Sequence, residues 1–301
     1  MALTEKELSE QLLTIKETEN PSLKTIQYSQ RIQNFAALSN MTELSFEKNG
    51  HKYSVYQFVD KGLSKNAKAP VFISIHGGGW IKPHMDNDIY YSALMAHEIH
   101  GIVFSPDYTT SDKADWKTMT AQCYDTAVYA AQHAEALGGD PDNIIIGGYS
   151  AGGHLTISVV MNALKTSEFH VRKQILCYTP LCFMKNCREE PAHTNSPEPL
   201  VRRGIAFENL LTRNEDEFYH NSSVNPWIMT DTEIQKLPET LMITADLCPF
   251  HGEDEQFAQR LIANGVTTTS KRYLNTHHGF IPHFYDFWED ALHLITKFIT
   301  K

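Results

Sequence analysis

The sequence predicts an α/β fold with a mainly parallel, mixed central sheet flanked by helices. Strand-like and helix-like runs alternate from Val71 onward, as is typical of a parallel sheet covered on both faces. A Gly-x-Ser-x-Gly pattern at residues 148–152 lies between one such strand and the helix that follows it. The chain has 301 residues, 42% of them hydrophobic, which suits one large domain with a modest insertion.

The N-terminal segment is predicted to be helical. Two apolar stripes with helical spacing run through residues 1–40 and are separated by Asn20-Pro21. We expect this segment to form part of a cap, and residues 41–301 to form the main domain. That domain should begin with a hairpin of strands 44–48 and 51–59, because Asn49-Gly50 between two β-rich runs is a strong hairpin signal.

The remaining elements alternate along the chain with one interruption. The predicted strands are 71–75, 102–105, 144–147, 174–178, 240–245 and 268–274, and the predicted helices are 119–137, 155–164, 253–264 and 284–299. Residues 180–237 break the alternation with a Pro-rich stretch and helix-like pieces at 200–211 and 215–220. An insertion of this kind between two core strands predicts a helical cap over a pocket.

Composition and charge argue against several classes of protein. The formal net charge of −10 disfavours a nucleic-acid partner, since neutralising phosphates requires a basic surface. No apolar run has the length of about 18 residues that a membrane span requires. The N-terminus lacks the features of a signal peptide, and the five cysteines are expected to be unpaired thiols. These observations predict a cytoplasmic protein.

Ser150 is the candidate nucleophile. It follows the strand-like run 144–147 and precedes a helix-like run, which is the arrangement of a nucleophile elbow. Gly148 and Gly152 have no Cβ, so the strand and helix backbones can approach closely. The same pattern also occurs in ordinary glycine-rich turns, and a second motif upstream favours the elbow.

That second motif is the run His76-Gly-Gly-Gly-Trp80, directly after the strand-like residues 71–75. A glycine run there lets backbone N–H groups turn inward, where they can hold the oxyanion of a tetrahedral intermediate together with the N–H of Ala151. A phosphate-binding loop is the alternative. It is disfavoured because Gly-x-Gly-x-x-Gly is absent and no Lys-Ser/Thr follows.

A serine nucleophile needs an adjacent base. The chain order Ser, acid, His places that base after the last strand, where His277, His278 and His283 lie. We favour His278 because Gly279-Phe280 follows it. The acid should follow the strand-like run 240–245, and Asp246 is the first carboxylate there. It would fix the tautomer of the imidazole and stabilise the imidazolium, and a role as a helix cap or loop ion-pair partner is the alternative.

These motifs together resemble the hormone-sensitive-lipase-like family of α/β-hydrolases, the esterases sometimes called the HGGG group. The resemblance runs from about Val71 to the C-terminus and rests on residues 76–80, 105–108, 137–143, 148–153 and 278–280. It implies an α/β-hydrolase fold with an eight-stranded mixed sheet and a helical cap, hydrolysis of short-acyl esters, and no cofactor. It also implies Ser150 as nucleophile, His278 as base, and Gly77, Gly78 and Ala151 as oxyanion donors. No metal site is predicted.

Two departures from the family concern the surroundings of the site. Tyr149 stands before the nucleophile, where the family usually has Asp or Glu. Residues 109–113 replace a stretch that commonly carries a Glu, so the contacts of that Glu are missing.

A third departure concerns the acid. Aligned without gaps, the family's acid falls on Cys248, and a neutral thiol cannot stabilise an imidazolium as a carboxylate does. Either Asp246 acts from two residues away, or Glu253 or Asp254 reaches the histidine, or the site works as a dyad. We expect Asp246 to act.

The sequence therefore predicts a serine carboxylesterase that hydrolyses small, short-chain acyl esters through an acyl-enzyme intermediate. Trp80, Tyr149 and Phe280 are candidate substrate contacts, with core packing as the alternative for each. An amidase, a formamidase or a deacetylase of small metabolites would use the same machinery. The alternative of another class is a ligand-binding protein on an inactive hydrolase scaffold. The expected partner is a small acyl ester, and the sequence does not distinguish a monomer from a homodimer.

Overall fold

The computed structural model describes residues 2–18, 26–183 and 198–301, the last range without the side chains of 198–202. The strands are β1 Ser39–Lys48, β2 His51–Asp60, β3 Ala69–Ile75, β4 Ile102–Asp107, β5 Gly139–Tyr149, β6 Val171–Cys177, β7 Glu239–Ala245 and β8 Thr268–Tyr273. The α-helices are α1 Glu5–Thr18, α2 Gln30–Gln33, α3 Asp86–Glu98, α4 Trp116–His133, α5 Ala151–Thr166, α6 Glu198–Thr212, α7 Asp216–Tyr219, α8 Asp231–Ile234, α9 His251–Ala263 and α10 Trp288–Thr300. Short 3-10 helices span Asn34–Ala37, Glu135–Leu137 and Pro226–Ile228.

One mixed sheet forms the centre of the fold, with the strand order β1-β2-β4-β3-β5-β6-β7-β8. Strand β2 runs antiparallel to both of its neighbours, and all pairings from β4 through β8 are parallel. This confirms the predicted mainly parallel, mixed sheet. The carboxyl ends of the parallel strands lie at one edge of the sheet, which is where ligands bind in open α/β folds.

The hairpin at the start of the sheet forms as predicted. Lys48 pairs with His51, and the turn between them has φ angles of 52° at Asn49 and 77° at Gly50. Two consecutive positive φ angles are those of a type I′ turn, whose twist matches that of the flanking strands.

Two apolar clusters cover the two faces of the sheet. Ile73 and Ile146 pack on the face covered by α4 and α5, and Phe72 and Ile145 on the face covered by α3 and α10. All four side chains are fully buried. Because successive residues of these strands are buried on opposite faces, the strands appear in the sequence as continuous apolar runs.

Most predicted elements are present with shifted ends, but α3 was not predicted. Its buried residues include Asn87, Asp88 and Ser92, so polar side chains interrupt the apolar stripe of its buried face. Helix α4 begins three residues before the predicted start, because the Asp115 side chain accepts a hydrogen bond from the N–H of Thr118 at 2.8 Å.

The N-terminal helix α1 packs against α6 of the insertion. Ile15 forms a small buried cluster with Ala206 and Leu210, and Asn209 Nδ2 donates a hydrogen bond to Gln11 Oε1 at 3.1 Å. Helices α6 and α7 match the predicted pieces of the insertion, whereas most of its Pro-rich stretch lies outside the described residues. The division into a cap and a main domain stays a prediction.

Among the described residues, no helix is long and apolar enough to cross a membrane. Cys123, Cys177 and Cys248 are free thiols, as expected. The expectation is wrong for Cys182, which is disulfide-bonded.

Candidate active site

Ser150 stands in a strained turn between β5 and α5. Its backbone has φ 55° and ψ −121°, a conformation that costs on the order of 1–3 kcal/mol in a residue other than glycine. The turn is tight: a Cβ on Gly152 would lie 2.0 Å from the carbonyl oxygen of Ile75. The sequence therefore forms the elbow that the Gly-x-Ser-x-Gly pattern predicts.

His278 lies beside this serine, on the loop that follows β8. Its Nε2 is 2.8 Å from Ser150 Oγ, and Tyr285 Oη donates a hydrogen bond to its carbonyl oxygen. The two rival histidines are placed elsewhere. His277 is exposed, and His283 Nδ1 lies 3.1 Å from Tyr28 Oη. The geometry supports His278 over both.

The imidazole of His278 is neutral at pH 7. Burial, and to a smaller extent the neighbouring His283, lowers the pKa of His278 to about 4. A neutral imidazole can accept the proton of the serine hydroxyl, which an imidazolium cannot.

The group on the other side of His278 is Cys248. Its Sγ lies 3.0 Å from His278 Nδ1. The predicted contact between Asp246 and His278 does not form. The carboxylate of Asp246 instead accepts a hydrogen bond from the N–H of Thr276 at 3.1 Å, and so holds the turn that leads into the histidine loop.

The other candidate acids lie behind Cys248 and do not contact His278. Glu253 Oε2 accepts a hydrogen bond from the N–H of Cys182, and Asp254 Oδ1 accepts one from the N–H of Thr179. Burial and the adjacent Glu253 hold the pKa of Asp254 well above its usual range. Burial, together with the Asp254 and Glu253 carboxylates, also holds the pKa of the Cys248 thiol well above its usual range.

The glycine loop after β3 lies against the nucleophile. A Cβ on Gly77 would stand 2.8 Å from the carbonyl oxygen of Tyr149 and 3.4 Å from Ser150 Cβ, so only glycine fits there. No other described residue accepts a backbone hydrogen bond from the N–H of Gly77 or Gly78. Ala151 is the first residue of α5, and the first amides of a helix have no partner within it.

His76 fixes the start of this loop. Its Nδ1 donates a hydrogen bond to the carbonyl oxygen of Gly77 at 2.7 Å, and its ring stacks on Tyr108 at 4.2 Å between centroids. Tyr108 Oη in turn donates to the carbonyl oxygen of His76 at 3.2 Å. These two hydrogen bonds fix the positions of both carbonyl groups at the start of the loop.

The other end of the loop is tied to the helix behind the nucleophile. Trp80 Nε1 donates a hydrogen bond to His154 Nδ1 at 3.2 Å, and His154 Nε2 donates to the carbonyl oxygen of Val224 at 2.7 Å. Burial lowers the pKa of His154 to about 4, so the ring is neutral and can do both. One histidine thus joins the glycine loop, α5 and the insertion.

Comparison with known proteins agrees with this geometry. A family model described as alpha/beta hydrolase fold matches residues 72–282, well over half of the chain. The chain belongs to the hormone-sensitive-lipase-like α/β hydrolases. This is a family of serine hydrolases.

Relatives of this α/β hydrolase include named esterases. An arylesterase of Saccharolobus solfataricus is 26% identical over 72% of this chain and 70% of the relative. Carboxylesterase NlhH of Mycobacterium tuberculosis is 23% identical over 70% of this chain and 66% of the relative. A relative from Acanthamoeba polyphaga mimivirus is 27% identical over 71% of this chain, and that alignment spans only 62% of the relative's length.

Solved structures of esterases superpose on nearly the whole chain. Carboxyl esterase 2 of Tuber melanosporum has a TM-score of 0.76 and 25% identity, over 96% of this chain and 97% of that one. The hyperthermophilic esterase of Pyrobaculum calidifontis has a TM-score of 0.78 and 20% identity, over 100% and 98% of the two chains. The second likeness shows the fold alone.

The three aromatic residues predicted to contact substrate are buried in the core of this α/β hydrolase. Trp80 and Tyr149 are each 3% exposed, and Phe280 is fully buried. The Trp80 indole bonds His154, Tyr149 Oη bonds the hydroxyl of Tyr91, and Phe280 packs on the ring of Tyr178. The geometry therefore favours the packing alternative for all three.

Sequence reasoning did not find the supporting roles of His76, Tyr108 and His154. His76 and Tyr108 lie inside motifs that carry the resemblance, so a signal for them was present. His154 directly follows the elbow glycines, but only the fold shows that Val224 comes to lie beside it.

Proposed function

We propose that this α/β hydrolase is a serine carboxylesterase that hydrolyses small, short-chain acyl esters through an acyl-enzyme intermediate. Ser150 is the nucleophile and His278 the general base. The N–H groups of Gly77, Gly78 and Ala151 hold the oxyanion. The observation that carries the proposal is the 2.8 Å contact between Ser150 Oγ and a neutral His278, with the glycine loop against the same serine.

In the first half of the reaction, Ser150 Oγ attacks the acyl carbon while its proton moves to His278 Nε2. The carbonyl oxygen becomes an oxyanion, and the backbone N–H groups stabilise it because they already point to where the charge develops. His278 then gives the proton to the leaving alcohol. In the second half, the same histidine takes a proton from a water molecule that attacks the acyl carbon. It returns this proton to Ser150 Oγ as the bond to the serine breaks and the carboxylic acid leaves.

The insertion supports the proposal of a cap that limits the acyl group. Phe207 of α6 lies so close to Gly79 that a Cβ there would be 2.7 Å from its ring. The cap helix therefore touches the oxyanion loop directly. The preference for short acyl chains rests on this crowding and on the family resemblance.

A cytoplasmic location also stays a proposal. The free thiols of Cys123, Cys177 and Cys248 favour a reducing compartment, whereas the disulfide of Cys182 opposes it.

A non-catalytic, ligand-binding protein is the second candidate. The observation in its favour is that the thiol of Cys248 contacts His278 Nδ1, the atom that a carboxylate contacts in a Ser-His-Asp triad. Against it stand the nucleophile contact and the ordered glycine loop, neither of which ligand binding requires.

Hydrolysis of p-nitrophenyl esters tests the proposal. We expect turnover of the acetate and butyrate, much slower turnover of the laurate, and a loss of about 10³-fold or more in kcat for Ser150→Ala. Ser222→Ala is the matched control, because the Ser222 hydroxyl bonds Glu233 and lies away from the site. p-Nitroacetanilide in the same assay separates an esterase from an amidase.

Labelling with a fluorophosphonate adds a readout that needs no turnover. Ser150 should be the modified residue, and Ser150→Ala should not react. An unlabelled wild-type protein that turns over none of these substrates would support the ligand-binding alternative instead.

A further inference from the structure

Cys248 occupies the position from which the third group of a catalytic triad acts. Its Sγ lies 3.0 Å from His278 Nδ1, while His278 Nε2 lies 2.8 Å from Ser150 Oγ. The residue is 1% exposed and follows β7. The N–H of Phe250 donates to the same sulfur at 3.4 Å, so Sγ already serves as a hydrogen-bond acceptor.

We propose that Cys248 is the positioning residue of His278: a neutral thiol that accepts the Nδ1–H hydrogen bond and fixes the tautomer of the base only weakly. Catalysis then rests on the Ser150–His278 pair, with a thiol instead of a carboxylate in contact with His278 Nδ1. This inference rests on the proposed esterase function and extends it to the group that orients the base.

The weakness follows from the hydrogen-bonding capacity of a thiol. In the productive tautomer, Nδ1–H donates to Sγ, and Nε2 is free to accept the proton of Ser150. A thiol can also donate its S–H to Nδ1, and then Nε2 carries the hydrogen and donates to Ser150 Oγ. A carboxylate has no hydrogen to donate and permits only the first arrangement. Cys248 permits both, so a fraction of the molecules holds the unproductive tautomer.

The groups around the pair keep the thiol neutral. Asp254 and Glu253 face Cys248 from α9, and Tyr285 faces it from the loop after β8. His283 faces His278, and the rings of Tyr178 and Phe250 pack against it. None of these groups places a cation beside the sulfur, and the two carboxyl groups oppose a thiolate. The one proton that moves is therefore that of Ser150, and Cys248 keeps its own.

Cys248→Asp should raise activity. A carboxylate at this position would accept from Nδ1–H and from the N–H of Phe250, and would remove the unproductive tautomer. Loss of the correct tautomer costs about 10⁴-fold in a serine protease, so a gain of about tenfold or more in kcat is expected where the tautomer is partly lost. KM should change by no more than about threefold, because the substrate contacts are untouched.

The pH profile separates positioning from mere packing. In Cys248→Asp the carboxylate stabilises the imidazolium, so the acid limb of kcat/KM should move upward by about one pH unit or more. In Cys248→Ala the limb should stay in place, and kcat should fall less than tenfold because only a weak acceptor is lost. If Cys248 only packs in the core and does not orient His278, Cys248→Asp should change stability and leave the acid limb of kcat/KM where it is in the wild type.

Asp246→Asn is the matched control. It removes the carboxylate nearest in sequence and keeps a side-chain oxygen that can accept from Thr276, so the loop is preserved. We expect kcat within about threefold of the wild type. A larger loss of kcat in Asp246→Asn would assign the orienting role to Asp246 instead. So would a folded Cys248→Asp that shows neither a gain in kcat nor a shifted acid limb.

Spectra of the protein with ¹⁵N-labelled histidine read the tautomer directly. The His278 nitrogens of the wild type should show averaged shifts at pH 7, and those of Cys248→Asp should show hydrogen on Nδ1 alone. A doubly protonated His278 at pH 7 would mean a thiolate and would overturn the proposal, as would a fall of more than about 100-fold in kcat of Cys248→Ala.

These readouts keep the two proposals apart. If the wild type shows no Ser150-dependent turnover, the esterase function fails and the histidine spectrum alone decides the role of Cys248. If Cys248→Asp does not fold, the alanine variant and the wild-type spectrum decide it.

Discussion

His278 is held between the hydroxyl of Ser150 and the thiol of Cys248, without a neighbouring carboxylate to stabilise its charged form. Burial and His283 push the pKa of this histidine in the same direction, to about 4. The base is therefore available over an unusually wide range of acidic pH.

The pH dependence of the wild type should show this. Activity needs the neutral imidazole, so it is present above the pKa of His278 and is lost as pH falls through about 4. We expect kcat/KM for p-nitrophenyl acetate to be level between about pH 5.5 and 8. An acid limb near pH 6.5 would show instead that a negative charge lies close to the base.

The nucleophile and the base could be predicted from the sequence, whereas the third residue could not. Ser150 and His278 each lie in a short motif at the end of a strand, and chain order restricts their roles. Asp246 and Cys248 are two residues apart in one turn, and only side-chain direction separates them. The Asp246 carboxylate accepts a hydrogen bond from the N–H of Thr276, a contact that no sequence pattern predicts.

At the scale of secondary-structure elements, the hydrogen-bonded chain Trp80–His154–Val224 joins the glycine loop, α5 and the insertion. His154 Nε2 must carry a hydrogen to donate to Val224, so Nδ1 can only accept. The Trp80 indole is therefore the donor that the buried ring requires.

Replacing this donor should affect both stability and activity. Trp80→Phe keeps a ring but leaves the buried Nδ1 of His154 without its partner, which costs about 1–3 kcal/mol of unfolding free energy. We expect a lower Tm and a fall in kcat of about tenfold, since the oxyanion donors lose one anchor.

Trp116→Phe is the matched control for that variant. The Trp116 indole also donates one hydrogen bond, at 3.1 Å to Glu215 Oε2, but it lies outside the site. Its Tm should fall while kcat stays unchanged. Equal kcat values for Trp80→Phe and Trp116→Phe would show that the anchoring of the glycine loop by Trp80 does not contribute to catalysis.

Elements with a regular apolar pattern could be predicted from the sequence. A helix whose buried face carries both polar and apolar side chains could not. The continuous apolar runs of β3 and β5 and the Asn49-Gly50 turn gave strands in the right order. Helix α3 was missed because its buried face carries polar side chains such as Asn87 and Ser92, which hydropathy assigns to the surface.

At the scale of the whole molecule, several histidines are buried in the neutral state. Burial lowers the pKa to about 4 for four of them, namely His76, His154, His278 and His283. In the unfolded chain these groups titrate near 6.5, so between pH 4 and 6.5 the unfolded state binds more protons. Their contribution to stability is complete above pH 6.5 and is lost as pH falls through 4.

Asp88 acts in the opposite direction. Burial raises its pKa to about 7, so the folded state binds its proton more tightly between pH 3.8 and 7. Its contribution is therefore lost as pH rises. Burial also raises the pKa of Asp254, so its contribution to stability is likewise lost as pH rises. Burial also holds the pKa of His84 well below its usual range, so five histidines stand against two carboxyl groups, which leaves a net loss of stability on acidification.

Thermal unfolding over a pH series checks this balance. We expect Tm to fall steadily from pH 7 to pH 4.5, and to fall more steeply in Asp88→Asn, which removes one opposing group. Asparagine keeps an oxygen that can accept from the N–H of Met85, as Asp88 does at 2.9 Å, so the start of α3 is preserved. A Tm that is level or rises on acidification would contradict the assignment of neutral, buried histidines.

The fold as a whole was predictable because strand order and chain crossings follow general rules. Right-handed crossovers and buried parallel strands leave few arrangements once the alternation is recognised. The packing of α1 on α6 was less accessible, because it joins two segments almost 200 residues apart through a small apolar cluster around Ile15, Ala206 and Leu210.

That packing decides where an affinity tag can be attached without disturbing the enzyme. The N–H of Leu3 donates to the carbonyl oxygen of Arg213, directly after α6, so a fusion ahead of Ala2 would emerge beside the end of α6, the helix whose Phe207 lies against Gly79 of the glycine loop. Lys301 is exposed beyond the end of α10 and lies on a different element. Substrate preferences are therefore best measured with a purification handle after Lys301.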